Sequence, residues 1–302
     1  MVDKTQPFLK WVGGKRQLLP EIMRNLPSDM DTVHTYVEPF VGGGAVLFHL
    51  AGMYSFDNII INDANVHLIN LYRAVQTDVD ALCTKLDVLH RAYAAADEGK
   101  RKEMFYKKRS EYNAHLSRVN GEEVRVDEAA LFVFLNRTCF NGLHRVNRKG
   151  EFNTPFGYYK NPAISNPQVF RRASATLGRA TILSGDYADT LPYASEGAFF
   201  YLDPPYRPLT RTSAFTAYAA SGFNDDAQRE LAAWCGKVDA AGGKFLLSNS
   251  DPTNTDPQDM FFDDLYKNYV VGRVLARRNV NAQGEGRGKI NELLVCNYIV
   301  DA

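Results

Sequence analysis

The chain predicts an α/β fold: a doubly wound sheet into which a helical segment carrying a β-hairpin is inserted. Three observations support this. Apolar runs of buried-strand character end in acids at 36–38, 58–63 and 198–203. A glycine turn, Gly42 to Gly44, follows the first of them and leads into helix-forming residues from Ala45. From Val66 to Leu135 the apolar spacing changes from strand-like to helical.

Taken in order, the elements begin with a strand near 35–39, a helix near 45–51 and a strand near 57–62. Helices are expected at 78–95, 101–116 and 127–135. The last has Asp127 as its candidate cap and a wide apolar face through Ala130, Leu131, Phe134 and Leu135. Lys149-Gly150 between short alternating runs marks a hairpin. Strands resume near 180–184, 198–202 and 244–249, with a helix at 225–238. A final pair, near 268–275 and 292–299, flanks a turn with Gly284, Gly286 and Gly288. The expected division is one domain from 1–66 and 163–302, and an inserted one at 67–162.

Composition bounds the class. A chain of 302 residues, 45% hydrophobic and 23% charged, can bury a large core. No apolar stretch approaches the roughly 20 residues of a membrane span, and no leader-type apolar region follows Met1. Cys83, Cys139, Cys235 and Cys296 form no C-x-x-C pair, which fits buried thiols of a reducing cytoplasm and no metal site. Net charge is zero, but its distribution is uneven: between Asn136 and Arg179 stand eight basic residues and one acid, Glu151. A second basic stretch holds Arg273, Arg277, Arg278, Arg287 and Lys289 against Glu285. Phosphate contact needs a local positive face of this kind, whatever the net charge.

Asp203-Pro204-Pro205-Tyr206 is the most informative stretch. The two prolines forbid continuation of the strand before them. They leave a carboxylate, a proline carbonyl and an aromatic ring at its carboxyl end, where open α/β sheets keep their chemistry. Two acceptors and a stacking ring suit the planar NH2 of a flat heterocycle. Upstream, Glu38 precedes a glycine turn that spells neither G-x-G-x-x-G nor a phosphate loop. A nucleoside cofactor with its own positive charge fits better, and Glu38 would complement it. Asp63 ends the next strand, about where a ribose-binding carboxylate sits in such folds, at a spacing of about 20 residues. Helix capping is the other reading of Asp63, and core packing is the other reading of Trp11.

These motifs resemble those of the Dam-type DNA adenine-N6 methyltransferases, over nearly the whole chain. Pro7 to Arg16 is similar to that family's opening motif, and Glu38 to Gly44 to its cofactor loop. Leu135 to Asn147, continuing through Gly150 to Tyr159, is similar to its recognition segment. Asp203 to Tyr206 is similar to its catalytic tetrapeptide. The resemblance implies a methyltransferase sheet served by S-adenosyl-L-methionine, with the 67–162 insertion as target-recognition domain, and no metal. It implies methyl transfer to the N6 amine of adenine in double-stranded DNA, by base flipping and with no covalent intermediate.

On that likeness Asp203, Pro204 and Tyr206 are catalytic. Trp11, Lys15, Glu38, Gly42, Gly44, Asp63, Asp186, Tyr187 and Asp203 serve the cofactor. Lys10, Asn141, Leu143, Arg145, Pro155 and Tyr159 read the DNA, with GATC as the expected site. A cognate restriction endonuclease is a candidate partner, and the polar stretch 207–216 a candidate lid, with a plain surface loop as the alternative. Two other classes stay open. An amine methyltransferase acting on RNA or protein needs no basic insert. A non-catalytic relative should have lost Asp203 or the glycine turn.

Overall fold

The computed structural model describes residues 5–207, 223–277 and 289–300, apart from Val12, Gly14 and Glu122. Seven strands form one mixed sheet: β1 (Thr35–Glu38), β2 (Asn58–Ile61), β3 (Ala180–Ile182), β4 (Ala198–Leu202), β5 (Lys244–Ser250), β6 (Val270–Arg277) and β7 (Lys289–Cys296). Their order is β3-β2-β1-β4-β5-β7-β6. β4 runs parallel to β1 and β5, whereas β7 is antiparallel to β5 and β6. The order reverses between β1 and β4, and at such a switch point the carboxyl ends of open sheets leave a crevice.

By internal contacts the chain groups into two compact units. One comprises 1–14, 41–53 and 61–186; the other comprises 15–40, 54–60 and 187–302. The second unit contains the centre of the sheet. All five residues of β4 are buried, which a strand with apolar neighbours on both faces requires. Gly197 precedes β4 at a positive φ and Asp203-Pro204 ends it, so the strand occupies its expected residues. Beside it lies a helix at Asp225–Ala240, capped by the Asn224 side chain, which accepts from the Ala227 amide at 2.9 Å. Its Trp234 packs edge-on against Phe200 at 5.6 Å between ring centroids.

The first unit is mainly helical. The described helices of the chain are α1 (Leu19–Arg24), α2 (Ala45–Leu50), α3 (Val66–Thr77), α4 (Val79–Ala95), α5 (Glu98–Ala114), α6 (Val126–Thr138), α7 (Pro167–Leu177), α8 (Asp225–Ala240) and α9 (Phe261–Leu265). Of these, α2 to α7 belong to this unit. α6 is apolar on every side, with Ala129 to Leu135 all buried, and α3, α4 and α5 pack around it. Side chains of Asn65, Asp78, Asp97 and Asn166 cap α3, α4, α5 and α7.

Four expectations need correction. Asp127 does not cap α6: it stands inside the first turn and pairs with Lys85, while the side chain of Asn70 accepts the Arg125 amide at 2.8 Å. α5 begins three residues earlier than expected, because Asp97 accepts from the Lys100 amide. α7 was not foreseen, although Asn166-Pro167 is a start signal. β6 and β7 are offset from the expected pair, and the turn with Gly284 to Gly288 lies outside the described residues, as do positions 208–216 of the candidate lid.

Candidate active site

Asp203 ends β4 with its side chain 23% exposed. Two donors converge on Oδ1: the Lys15 ammonium at 2.7 Å, from a 3-10 turn at Lys15–Gln17, and the Ser248 hydroxyl at 3.2 Å, from β5. Tyr201 extends this chain, its hydroxyl 3.2 Å from Ser248 Oγ. Neither Oδ2 of Asp203 nor the Pro204 carbonyl receives a hydrogen bond among the described residues. Burial pushes the Asp203 carboxyl above its ordinary range, and the Lys15 charge pulls the other way.

Tyr206 is held at both ends. Its hydroxyl donates to Glu292 Oε2 at 2.6 Å, and the Lys15 ammonium lies 4.4 Å from its ring centroid. Burial, with the carboxylates of Asp203 and Glu292, pushes its phenol well above 10. The chain around it is also fixed. Gln228 donates to the Pro205 carbonyl at 3.1 Å and is itself bonded by Asn249 at 3.2 Å. Arg207 pairs with Asp225 at 2.8 Å and Asp259 at 2.6 Å. Sequence reasoning missed Ser248, Glu292, Gln228 and Asn249. Each is far away in the chain and reaches the tetrapeptide only through the β4-β5-β7 pairing and α8. Glu38 is buried nearby in the sequence of β1, where its carboxylate accepts from the Tyr36 hydroxyl at 2.7 Å. Tyr187 packs against Trp234 and Phe40 at 5.6 and 5.3 Å.

The glycine turn belongs to the helical unit. Gly42 and Gly44 hold φ of 47° and 69°, in the left-handed region where a side chain is strained. A Cβ on Gly43 would come within 2.7 Å of Trp11, and one on Gly44 within 2.5 Å of the Tyr72 hydroxyl. Trp11 thus packs under the turn and stacks on His144 at 5.6 Å. Asp63 ties the turn to β2: it accepts from the Gly42 amide at 3.0 Å and the Asn65 amide at 2.9 Å. Asn65, not Asp63, caps α3. Burial raises the Asp63 carboxyl despite those two amide bonds. The Asn62 side chain donates to the Gly185 carbonyl at 3.1 Å, which sets Asp186 in the chain just after the end of β3.

The segment 139–159 folds back on itself through antiparallel bridges, Cys139 to Phe156 and Val146 to Phe152. Its tip turns at Asn147 to Gly150, where the Gly150 amide donates to the Asn147 carbonyl at 2.9 Å. Phe152 and Phe156 are 3% exposed and pack among aromatic rings of α4, α5 and α6. Asn113 of α5 clamps the Phe152 backbone through both its amide nitrogen and oxygen, at 3.1 and 2.9 Å. Alternation then turns Pro155 outward, and Arg145, opposite Asn153, is exposed too. Arg145 Nε donates to Asn153 Oδ1 at 2.7 Å.

Three expected residues are brought together here. The Lys10 ammonium lies 4.5 Å from the Tyr159 ring centroid, and the Tyr159 hydroxyl accepts from the Asn141 amide at 3.1 Å. Asn136 ties the Lys10 backbone to the Gly142 carbonyl. Leu143 is half-buried beside them, and burial lowers the neighbouring His144 to about 4, so that ring is neutral.

Residues 11–280 match the family model of the D12 class N6 adenine-specific DNA methyltransferases. The chain belongs to that family. A type II methyltransferase, M.MjaIII of Methanocaldococcus jannaschii, is 45% identical over 298 residues, covering 98% of this chain and 100% of that protein. A DNA adenine methylase of Serratia marcescens is 37% identical over 294 residues, covering 97% and 98%. The DNA adenine methylase of Escherichia coli K12 is 33% identical over 293 residues, covering 97% and 95%.

For a member of this D12 class the positive face is smaller than the sequence count. Arg137 donates to the Phe8 carbonyl at 2.5 Å, which makes it a structural residue. Arg171 pairs with Asp80 at 2.9 Å. In the second basic stretch Arg273 is engaged by Asp251 and Asp263 at 3.0 and 2.8 Å, and Arg278 and Arg287 lie outside the described residues. Arg145, Arg148 and Lys149 of the folded-back segment are exposed, as are Lys160, Arg171 and Arg179. No described helix is long and apolar enough to cross a membrane.

Proposed function

We propose that this DNA adenine methyltransferase moves a methyl group from S-adenosyl-L-methionine to the N6 amine of adenine in double-stranded DNA. The target sequence is GATC, and the adenine is flipped out of the helix before transfer. The observation that carries this reading is the pair of open acceptors at the end of β4, Asp203 Oδ2 and the Pro204 carbonyl, beside the tethered ring of Tyr206. An adenine amine is a weak nucleophile because its lone pair is delocalised into the ring. Two acceptors on its hydrogens favour a pyramidal nitrogen, localise the pair and stabilise positive charge as it develops. Tyr206 stacks on the base. The proton shed by N6 would pass to Asp203; because N6 would take the methyl directly as its bond to sulfur breaks and a neutral thioether leaves, no covalent enzyme intermediate is needed. The amine is out of reach in a stacked duplex, hence the flip.

S-adenosyl-L-methionine, when bound, supplies an electrophilic methyl on a positively charged sulfur. The glycine turn fits such a donor. It presents backbone at positive φ, the half-buried carboxylate of Asp63 and no lysine or arginine in 38–48, a set suited to ribose hydroxyls and a cation, not to phosphate. Trp11, Lys15, Glu38, Gly42, Gly44, Asp63, Asp186, Tyr187 and Asp203 are the proposed contacts.

Recognition is assigned to 67–162, with the remainder of the chain as catalytic domain. Arg145 and Lys10 each take a guanine edge. Leu143 and Pro155 meet a thymine methyl, and Asn141 and Tyr159 support them. The similarity of this segment to GATC-methylating members supports the sequence, and the relatives named DNA adenine methylase support adenine as the target base. The type II relative supports a cognate restriction endonuclease as partner, with action on DNA in the cytoplasm. Plasmid from a methylation-free host expressing the chain should resist a nuclease that cuts only unmethylated GATC. Plasmid that stays sensitive there, yet carries N6-methyladenine elsewhere, would refute GATC alone. Plasmid with no N6-methyladenine would refute the whole reading.

A further inference from the structure

We infer that Lys15 is a positioning residue for the Asp203 carboxylate, holding Oδ1 so that Oδ2 is left for the substrate amine. This rests on the functional reading above and departs from it at one residue, since the likeness assigns Lys15 to the cofactor. The geometry is specific. Lys15 is 7% exposed despite its charge, and its ammonium is 2.7 Å from Asp203 Oδ1. Ser248 donates to the same oxygen at 3.2 Å, and Oδ2 receives nothing among the described residues. The same ammonium lies 4.4 Å from the Tyr206 ring centroid. One buried cation therefore sets the carboxylate and the ring relative to each other, the two groups that would grip the base. Tyr206 cannot swing away, because Glu292 holds its hydroxyl at 2.6 Å.

The charged and titratable groups facing Asp203 are Lys15 from its 3-10 turn, Glu292 from β7, and Tyr201 and Tyr206 from its own strand and turn. Burial and Glu292 favour the protonated acid, whereas Lys15 and the Ser248 hydroxyl favour the carboxylate. A protonated Asp203 cannot accept from the amine. Removing Lys15 therefore moves the acid limb of the rate profile to higher pH.

The test compares the full-length protein with Lys15→Met, Lys15→Arg and Ser248→Ala on a GATC duplex at saturating S-adenosyl-L-methionine. Lys15→Met should lower kcat by about 10²-fold, the scale of a misplaced catalytic group. Its acid limb should rise by about one unit, the loss expected for an adjacent opposite charge. Calorimetric affinity for the donor should stay within about twofold, a shift of under ~0.5 kcal/mol. Lys15→Arg should restore the acid limb and much of the rate, and Ser248→Ala should lower kcat in the same direction as Lys15→Met but by less. Weakened donor affinity with kcat and acid limb unchanged would overturn the inference and return Lys15 to the cofactor. A second readout needs no turnover. Carbon NMR titration of labelled aspartate, assigned by Asp203→Asn, should show the Asp203 carboxyl rising in Lys15→Met. An unmoved titration would sink the inference even if methylation is active, and a raised one would sustain it even if DNA proves to be the wrong substrate.

Discussion

The tetrapeptide after β4 and the folded-back segment 139–159 are both irregular backbone, yet only the second adds apolar anchors to its hydrogen bonds. Around Asp203 to Arg207 nearly every constraint is polar and directional: Lys15, Ser248, Glu292, Gln228, Asp225 and Asp259. Around 139–159 two buried phenylalanines supply apolar anchors beside polar ties from Asn113, Asn136, Thr154 and Tyr93. On the proposed function the contrast has a reason. A group that localises a lone pair must be fixed in angle, which hydrogen bonds do. A surface that is to follow a DNA groove needs fixing in depth, which apolar anchors add, leaving the outward residues to differ.

The largest effect should separate the two regions cleanly. Asp203→Ala is expected to lower kcat by at least about 10²-fold, the scale of losing a preorganised charge-stabilising group. Thermal unfolding and DNA affinity should change little by comparison, and a collapse of DNA affinity would erase the distinction. Next, Phe152→Ala should cost about 3–5 kcal/mol by urea unfolding, as for other large-to-small core changes. A loss below 1 kcal/mol would mean that the segment is not apolar-anchored.

Arg145→Ala should leave folding intact and relax discrimination at one base pair by about 1–3 kcal/mol, read as kcat/KM on singly substituted duplexes. Equal loss on every duplex would make Arg145 a phosphate contact. The smallest effect is expected at Arg171→Ala. Its pair with Asp80 joins two exposed side chains and contributes at most about 1 kcal/mol. The salt slope of DNA binding should not move, whereas Lys149→Ala should reduce it by about one.

The same contrast explains what was legible in the sequence. β4 coincides with its expected residues because an apolar run stopped by Pro-Pro is a local signal. The alternation of Phe152, Thr154 and Phe156 is local too, so a hairpin was foreseeable, although it forms through two bridges without a long ladder. Glu292 was not foreseeable. It reaches Tyr206 only because β7 pairs with β5, with Glu292 opposite Ser250, and no pattern near residue 292 records that register. Nor did the basic count over 136–179 record that Arg137 and Arg171 are engaged by residues 129 and 91 positions away. Asn65 likewise caps α3, the role that Asp63 two residues earlier offered, and the start of α6 has no side-chain cap at all.

The central claim is that the end of β4 grips an adenine amine for direct methylation. The most direct measurement incubates the purified chain with isotope-labelled S-adenosyl-L-methionine and a duplex containing one GATC, then identifies the labelled nucleoside by mass spectrometry. The account predicts label solely as N6-methyladenine, on the GATC adenine, and none from Asp203→Ala. Label on cytosine, on protein or on no molecule at all, from folded protein that takes up the donor, would contradict it.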